Sequence, residues 1–256
     1  MRKFKAIFFD IDGTLTPNGI SIKPTEAVVN AVNSIGQKMY TAVATGRSKK
    51  EASYVLSDIN FTGIGIFVNG AQIVDMKSNK IYDEKKLTIE TVYKAEKIIK
   101  ELGNTLHVYD DGVDTTNINS VKNPISAFIL DIKFADVDLY INALKDINPN
   151  ISILHSGSLT EGCDDIHILH KEARKDKALL RCVKYLGISL DEVICVGDGL
   201  NDLEILKSCG YKIAMGNAVK ELKDIADYVC PSLDKDGVAV AVEYLIKHQP
   251  MMHQKE

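Results

Sequence analysis

The sequence lacks the features by which disulfide-bonded, membrane-bound and nucleic-acid-binding proteins are usually recognised. Its five cysteines are odd in number and form no pairs with metal-ligand spacing, so we expect most of them to be reduced core residues. No apolar run is long enough to cross a bilayer and no signal peptide is recognised, which predicts a cytoplasmic protein without membrane contacts. The formal net charge of −4 and the absence of a basic stripe argue against general nucleic-acid binding.

The composition that is present is that of an ordinary globular protein. The chain has 256 residues, of which 45% are hydrophobic and 26% charged, and it is long enough for a large core and a second module. Strands alternate with helices at both ends of the chain, a pattern typical of a parallel sheet covered by helices. The strands predicted there are residues 6–9, 40–44, 65–68, 193–196 and 211–214.

A different pattern occupies the middle of the chain. Helices are predicted near residues 91–102 and 138–147, among strand-like runs at residues 106–109, 125–133, 151–155 and 165–169. We therefore predict an α/β fold with a three-layer, doubly wound parallel-sheet (Rossmann-like) core. Residues 1–82 and 173–256 would form this core, and residues 83–172 an inserted α+β domain.

Two carboxylates follow the first predicted strand. Asp10 and Asp12 come directly after the apolar residues 6–9, and residues two apart at the end of a strand point to the same side. Like charges held so close repel each other unless a cation, usually Mg2+ in an all-oxygen site, lies between them. In the alternative interpretation, Asp10 caps the next segment and Asp12-Gly13 is an ordinary turn.

A second acidic cluster follows a later strand. Asp198 ends the apolar run 193–197, and Asp202 comes four residues later. In a doubly wound sheet, functional groups gather at the carboxyl ends of adjacent strands, so the two clusters can share one metal ion although they are far apart in sequence.

Four short motifs then resemble a known family. In order, they are Asp10-Ile-Asp-Gly-Thr-Leu15, Thr45-Gly-Arg47, Lys175-Asp-Lys-Ala-Leu179 and Gly197-Asp-Gly-Leu-Asn-Asp202. They resemble the four signatures of haloacid dehalogenase-superfamily phosphatases, and their spacing matches the Cof-like branch, which carries a large inserted cap of type IIB. The resemblance covers essentially the whole chain, and the order of the motifs makes it specific.

The resemblance implies roles for the acidic residues. Asp10 would be the nucleophile that forms an aspartyl-phosphate, and Asp12 would be the general acid and base, with its backbone carbonyl on the metal. Asp10 and Asp198 would bind Mg2+ directly. Asp202 would be either a further metal ligand or a residue that anchors the ligands.

The resemblance also implies phosphate contacts. The Thr45 hydroxyl and the following amides would hold phosphate oxygens, with Gly46 allowing close approach, although Thr45 also reads as a helix N-cap. Lys175 would neutralise the transferring phosphoryl group. Because the family pattern usually has glycine after that lysine and this chain has Asp176, Lys177 stays an alternative.

Four further residues are less specific. Asn69 and Gly70 resemble the substrate-facing loop of the Cof-like branch, but Asn-Gly is also a common turn. Asn201 would contact phosphate or a neighbouring ligand, and it also reads as a helix cap. Arg47 would either face the site or pair with surface acids, and we do not assign it a catalytic role.

These observations predict a Mg2+-dependent phosphatase that hydrolyses small phosphomonoesters, such as sugar phosphates or phosphorylated cofactors. The alternatives are a phosphomutase of the same superfamily, a non-catalytic sensor of phosphorylated ligands, and a plain α/β scaffold. The cap would select the substrate, and its candidate residues for this are Cys163, Asp164 and Asp165, which also read as an exposed turn. We expect a monomer or a homodimer.

Overall fold

The structure is a computed structural model that describes residues 4–17, 22–158 and 160–248. The chain divides into two units. One contains the residues up to Tyr82 and those from Arg174 onward, and the other is Asp83–Ala173. Among the described helices, none has both the length and the apolar character needed to cross a membrane.

The elements of the first unit lie on both sides of the second unit in sequence. Before it come β1 (Ala6–Phe9), α1 (Glu26–Gly36), β2 (Tyr40–Val43), α2 (Lys49–Val55), β3 (Ile64–Phe67), β4 (Gln72–Asp75) and β5 (Ile81–Glu84), within which the first unit ends. The second unit contains α3 (Ile89–Glu101), β6 (His107–Asp110), β7 (Val113–Thr115), β8 (Pro124–Lys133), α4 (Val137–Leu144), β9 (Ile151–Gly157) and β10 (Cys163–His170). After it come α5 (Lys175–Leu186), β11 (Val193–Gly197), α6 (Leu203–Ser208), β12 (Tyr211–Ala214), α7 (Lys220–Ile225), β13 (Tyr228–Val229) and α8 (Gly237–His248).

The central sheet of the first unit is parallel, with the strand order β13-β12-β11-β1-β2. All four residues of β1 are buried, as an apolar strand covered on both faces requires. From β1 the chain crosses to β2 on one side, and from β11 it crosses to β12 on the other. Since such crossovers are right-handed, α1 and α6 lie on opposite faces of the sheet. The crevice between β1 and β11 is therefore the point at which a doubly wound sheet binds ligands.

The strand predicted at residues 65–68 is only loosely part of this sheet. A single parallel bridge joins Ala44 to Ile66, and β3 pairs antiparallel with β4, which the sequence analysis does not predict. Three of the four residues between them, Val68–Gly70, form a single tight turn. All three have positive φ, which is uncommon for asparagine and a real outlier for a β-branched valine.

The second unit has its own core. Its antiparallel sheet has the order β7-β6-β8-β10-β9, and α3 and α4 pack on it through buried side chains that include Val92, Val108, Ile129, Leu144 and Ile166. This is the predicted α+β arrangement of strands and helices. The turn interpretation of Cys163, Asp164 and Asp165 is wrong, because all three lie in β10 and pair with neighbouring strands. Asp164 contacts His155, and Asp165 accepts a hydrogen bond from the amide of Asp131.

Candidate active site

Three carboxylates meet at the carboxyl ends of β1 and β11. Asp10 follows β1 and donates its amide to Val196 of β11, which continues the strand pairing by one residue. Carboxylate oxygens of Asp10, Asp198 and Asp202 all lie within 4.8 Å of one another. The two acidic clusters, nearly two hundred residues apart in sequence, thus form one group at the crevice between adjacent strands.

An ammonium group lies among these carboxylates. Lys175, the first residue of α5, contacts Asp10 Oδ1 at 2.8 Å and Asp202 Oδ1 at 2.7 Å through Nζ. The lysine is only 4% exposed, so the two contacts are made away from bulk water. Asp10 Oδ2 accepts no hydrogen bond from the described residues and is left for a ligand.

Asp202 uses both carboxylate oxygens within the protein. Its Oδ1 binds Lys175, and its Oδ2 accepts the amides of Asp198 and Gly199 at 3.1 and 3.2 Å. Any side chain at Gly197 would lie 2.6 Å from Asp202 Oδ2, which explains the glycine there. Of the two roles open to Asp202, these contacts favour anchoring Lys175 and the loop that carries Asp198.

The electrostatics of the cluster are those of a site that needs a cation. Burial raises the pKa of Asp10 well above its ordinary value, repulsion by Asp202 adds to this, and Lys175 opposes it. Burial likewise raises the pKa of Asp198 to about 6, although the hydroxyl of Thr14 donates to its Oδ1 at 2.7 Å. Burial lowers the pKa of Lys175, but attraction by Asp10 and Asp202 outweighs it, and the pKa lies above its ordinary value.

The same residues fit a divalent cation. When the three carboxylates are ionised, one ammonium leaves two negative charges uncompensated, and every donor atom is an oxygen. Oxygen donors of this kind are the ligands that Mg2+ prefers in proteins. Asp10 and Asp198 have carboxylate oxygens to offer, whereas Asp202 has already used both of its own.

Gly13 makes the approach of the two halves possible. It has φ +80°, and a Cβ at this position would lie 2.1 Å from Asp198 Oδ2. Glycine is therefore required at this position for two reasons. Its backbone conformation disfavours other residues, and the Asp198 carboxylate leaves no room for a Cβ. The Gly13 carbonyl also accepts a hydrogen bond from Asn217 Nδ2 at 2.8 Å.

Asp12 faces a different partner. Arg47 binds it with two nitrogens, Nε to Oδ2 at 2.8 Å and Nη2 to Oδ1. The hydrogen bond to Asp12 raises the pKa of the Arg47 guanidinium, against the effect of its burial. Of the two interpretations of Arg47, the structure supports the one in which it faces the acidic residues at the end of β1.

The loop after β2 lies next to the turn Val68–Gly70. Thr45 is buried, its hydroxyl accepts the amide of Arg47 at 3.1 Å, and its carbonyl accepts the amide of Asn69 at 2.9 Å. A Cβ at Gly46 would lie 3.2 Å from Asn69 Nδ2. Asn69 Oδ1 is buried without a hydrogen-bond partner among the described residues, which leaves a polar atom for a ligand beside the predicted phosphate loop.

Two predicted contact residues have structural roles of their own. Gly70 packs on the backbone of Arg174, where a Cβ would lie 2.5 Å from the carbonyl oxygen, and its own carbonyl accepts a hydrogen bond from Arg181. Asn201 is exposed in the turn that precedes α6. Their substrate contacts stay predictions, as does the choice of Lys175 over Lys177 for the phosphate, although Lys175 is the lysine that contacts Asp10.

Two residues that hold the site together were not predicted from the sequence. Thr14 orients Asp198, and Asn217 ties Gly13 to the amide of Leu233, which its Oδ1 accepts at 2.9 Å. Thr14 lies inside the first motif and was open to prediction on that ground. Asn217 lies beyond the fourth motif. The only sign of it in the sequence is its position next to Gly216, shortly after β12.

Comparisons with known proteins give a consistent result. A sequence model of haloacid dehalogenase-like hydrolases matches residues 7–123 and 112–242. A phosphoglycolate phosphatase of Methanobrevibacter smithii is 28% identical over 94% of this chain and 98% of its own length. The 5-amino-6-(5-phospho-D-ribitylamino)uracil phosphatase YcsE of Bacillus subtilis is 26% identical over 94% and 96%.

A solved structure has the same fold. The crystal structure of a haloacid dehalogenase-like hydrolase from Bacteroides thetaiotaomicron superposes with a TM-score of 0.83 at 23% identity, covering 95% of this chain and 100% of that one. At that identity the match establishes the fold alone. The predicted α/β class with a Rossmann-like core is confirmed.

Proposed function

Because the chain belongs to the haloacid dehalogenase-like hydrolase family, we propose that it is a Mg2+-dependent phosphatase that hydrolyses small phosphomonoesters through an aspartyl-phosphate on Asp10. The family and the phosphatase relatives confirm the predicted class of enzyme. We propose in addition the metal, the nucleophile, the roles of the other residues and the kind of substrate.

One observation carries the proposal. Asp10 lies in a buried group with two other carboxylates and one ammonium, and one of its oxygens is left for a ligand. A buried group with an excess of negative charge is costly to the fold unless it binds a cation. A protein keeps such a destabilising group where the group performs chemistry. Perturbed pKa values of this kind are typical of functional sites.

The proposed reaction has two halves. In the first, a carboxylate oxygen of Asp10 attacks phosphorus, the bond between phosphorus and the leaving oxygen breaks, and Asp12 gives that oxygen a proton. In the second, Asp12 takes a proton from water, whose oxygen attacks the phosphorus and releases Asp10 and inorganic phosphate. Bound Mg2+ would supply charge neutralisation that lets one anion approach another, held by Asp10, Asp198 and the carbonyl of Asp12.

The remaining residues would bind and orient. Lys175 favours the ionised form of Asp10 through the contact at 2.8 Å and places a positive charge beside the attacked group. Thr45 supplies a hydroxyl, Gly46 a close backbone approach, and Asn69 an amide oxygen without a partner among the described residues. Asn201 and Gly70 stay candidates for contacts with substrate.

The names of the relatives support a small substrate. The YcsE protein acts on a phosphorylated ribitylaminouracil and the Methanobrevibacter smithii protein on phosphoglycolate, both of them small phosphate monoesters. We propose the same general class for this chain, sugar phosphates and phosphorylated cofactors included, without choosing among its members.

The test is a panel of phosphate monoesters assayed for released phosphate with Mg2+, with a chelator, and with the variant Asp10→Asn. We expect release that needs Mg2+ and that disappears in Asp10→Asn, because an amide cannot serve as the nucleophile. A covalent adduct of one phosphoryl group on the wild-type protein, absent from the variant by mass spectrometry, would locate the intermediate.

A matched control separates this loss from damage to the fold. Asp58→Asn removes a carboxylate of a surface ion pair with Lys23 and should leave phosphate release unchanged. Activity that survives in Asp10→Asn would exclude the proposed nucleophile. Transfer of the phosphoryl group back to substrate, without release, would exclude the hydrolase in favour of a mutase.

A further inference from the structure

The guanidinium of Arg47 holds the residue that the proposed reaction uses as its acid and base. Two of its nitrogens, Nε and Nη2, each donate to one carboxylate oxygen of Asp12. A carboxyl group that exchanges a proton with a leaving group needs one of these oxygens for that partner. Because the leaving group and Arg47 compete for that oxygen, we expect Arg47 to loosen one of its two hydrogen bonds when substrate is bound.

Arg47 is the fixed member of this pair. Its amide donates to the Thr45 hydroxyl at 3.1 Å, and its carbonyl accepts the amide of Val68 at 3.0 Å. Its side chain is 11% exposed, whereas the side chain of Asp12 is 36% exposed. The guanidinium is thus anchored at the backbone and nearly buried, while the carboxylate that it holds is more accessible.

The geometry of the contact favours orientation over simple charge pairing. A planar guanidinium that binds a carboxylate with two parallel hydrogen bonds fixes the plane of the carboxylate as well as its position. An exposed ion pair made by flexible side chains contributes little, and many contribute nothing measurable. Arg47 is neither exposed nor free at its backbone, so the pair does not belong to that class.

We propose that Arg47 is the positioning residue of Asp12: it sets the plane of the carboxylate, keeps one oxygen, and yields the other to the leaving group. The inference rests on the proposed function, since it assigns a partner to the acid and base of that reaction. It requires no group beyond those described, and Arg47 itself exchanges no proton.

The readout is the dependence of the rate on the leaving group. Aryl phosphates with more acidic phenols need little help from a proton donor, whereas phenyl phosphate, whose phenol resembles tyrosine with a pKa of about 10, needs more. Misplacing Asp12 in Arg47→Ala should lower kcat/KM for phenyl phosphate by roughly 100-fold, the order of magnitude that a misplaced catalytic group costs. The loss for p-nitrophenyl phosphate should be clearly smaller, so that the plot of rate against phenol acidity becomes steeper.

Further variants separate orientation from charge and from folding. Arg47→Lys keeps the charge but loses the planar fork, so it should show the same trend with a smaller loss. Added guanidinium should restore part of the activity of Arg47→Ala. Adding Arg47→Ala to Asp12→Ala should cost nothing beyond Asp12→Ala, since the residue to be oriented is gone. Lys23→Ala, in a surface ion pair, is the control and should match the wild type.

The outcomes distinguish this inference from the proposed function. If the wild type hydrolyses aryl phosphates and Asp10→Asn does not, the proposed function stands, and the leaving-group plot then decides the role of Arg47. An equal loss for all leaving groups in both Arg47 variants, or no loss, would overturn the inference while leaving the function intact. If the wild type hydrolyses neither the aryl phosphates nor any other member of the phosphomonoester panel with Mg2+ present, both fail together.

Discussion

The acidic group around Asp10 makes the stability of the metal-free protein depend on pH in an unusual direction. Burial raises the pKa of Asp198 to about 6 in the folded chain, whereas an aspartate in the unfolded chain titrates near about 3.9. The folded state therefore holds this proton more tightly. Its contribution to stability is fully present below about pH 4 and is lost as the pH rises through about 6.

This direction can be measured with Asp198→Asn, which cannot ionise. In a chelator, the thermal stability of Asp198→Asn relative to the wild type should increase as the pH rises from about 4 to about 7, because only the wild type acquires the buried charge. Other groups also titrate in this range, so the difference between the two proteins is the quantity to compare. A difference that does not change with pH would contradict the raised pKa.

Gly13 gives a second prediction, with a control elsewhere in the chain. In Gly13→Ala the new Cβ would lie 2.1 Å from Asp198 Oδ2, so we expect loss of Mg2+ binding and of phosphate release. Gly112 has a similar φ of +89°, but its Cβ would meet nothing within 4 Å. Both variants should lose about 1–2 kcal/mol of stability from the left-handed backbone. Only Gly13→Ala should lose activity, which isothermal titration with Mg2+ and a phosphate assay would check.

The sequence was sufficient to bring Asp10, Asp198 and Asp202 together, because carboxylates at the ends of adjacent parallel strands have few other places to lie. The sequence did not predict which groups would pair with those charges. Whether Arg47 meets Asp12 or a surface acid depends on distances between loops that no periodic pattern encodes. Asp202 likewise gives no sign in sequence that its oxygens are used by Lys175 and two amides.

At the scale of elements, α2 begins two residues after Arg47, and a capping box stabilises that end of the helix. The Ser48 hydroxyl accepts the amide of Glu51, and the Glu51 carboxylate accepts the amide of Ser48 at 2.9 Å. Ser48→Ala should destabilise the protein by about 1 kcal/mol, the usual cost of losing such a cap. Ser53→Ala, further along the same helix, removes an exposed hydroxyl bonded to the Lys49 carbonyl and should have little effect in chemical denaturation.

In the first unit, the helices and strands predicted from the sequence are present. The elements that were not predicted are short. The helices and strands of the parallel sheet carry long apolar faces, which the pattern of residues reveals. β13 has two residues, too few for a period to be recognised, and in β4 (Gln72–Asp75) the two apolar residues lie between two polar ones. The turn between β3 and β4 was open to prediction from Asn69-Gly70, but the positive φ of Val68 was not, because nothing in the identity of a valine favours it.

At the scale of the whole molecule, Mg2+ should act as a stabilising ligand. A ligand that binds only the folded state at a concentration 100 times its Kd adds about 2.7 kcal/mol. For a chain of this length, each kcal/mol raises Tm by about 2–4 °C, so a rise of several degrees is expected in the wild type. Asp198→Asn should show no such rise, and Lys23→Ala should show the full rise. Equal shifts in all three proteins would indicate that Mg2+ binds elsewhere.

The position of β1 also bears on how the chain is made. All four residues of this strand are buried; it pairs with β2 on one side and with β11 on the other, where Ala6 lies opposite Val193. A ribosome that adds roughly 5–20 residues per second needs about 8–30 s to reach β11 after β2 has been made. During that interval one edge of the apolar strand β1 lacks its native neighbour. Contacts between residues so far apart in sequence form slowly. We therefore expect chaperones that hold unfolded chains to matter most between the synthesis of β2 and that of β11.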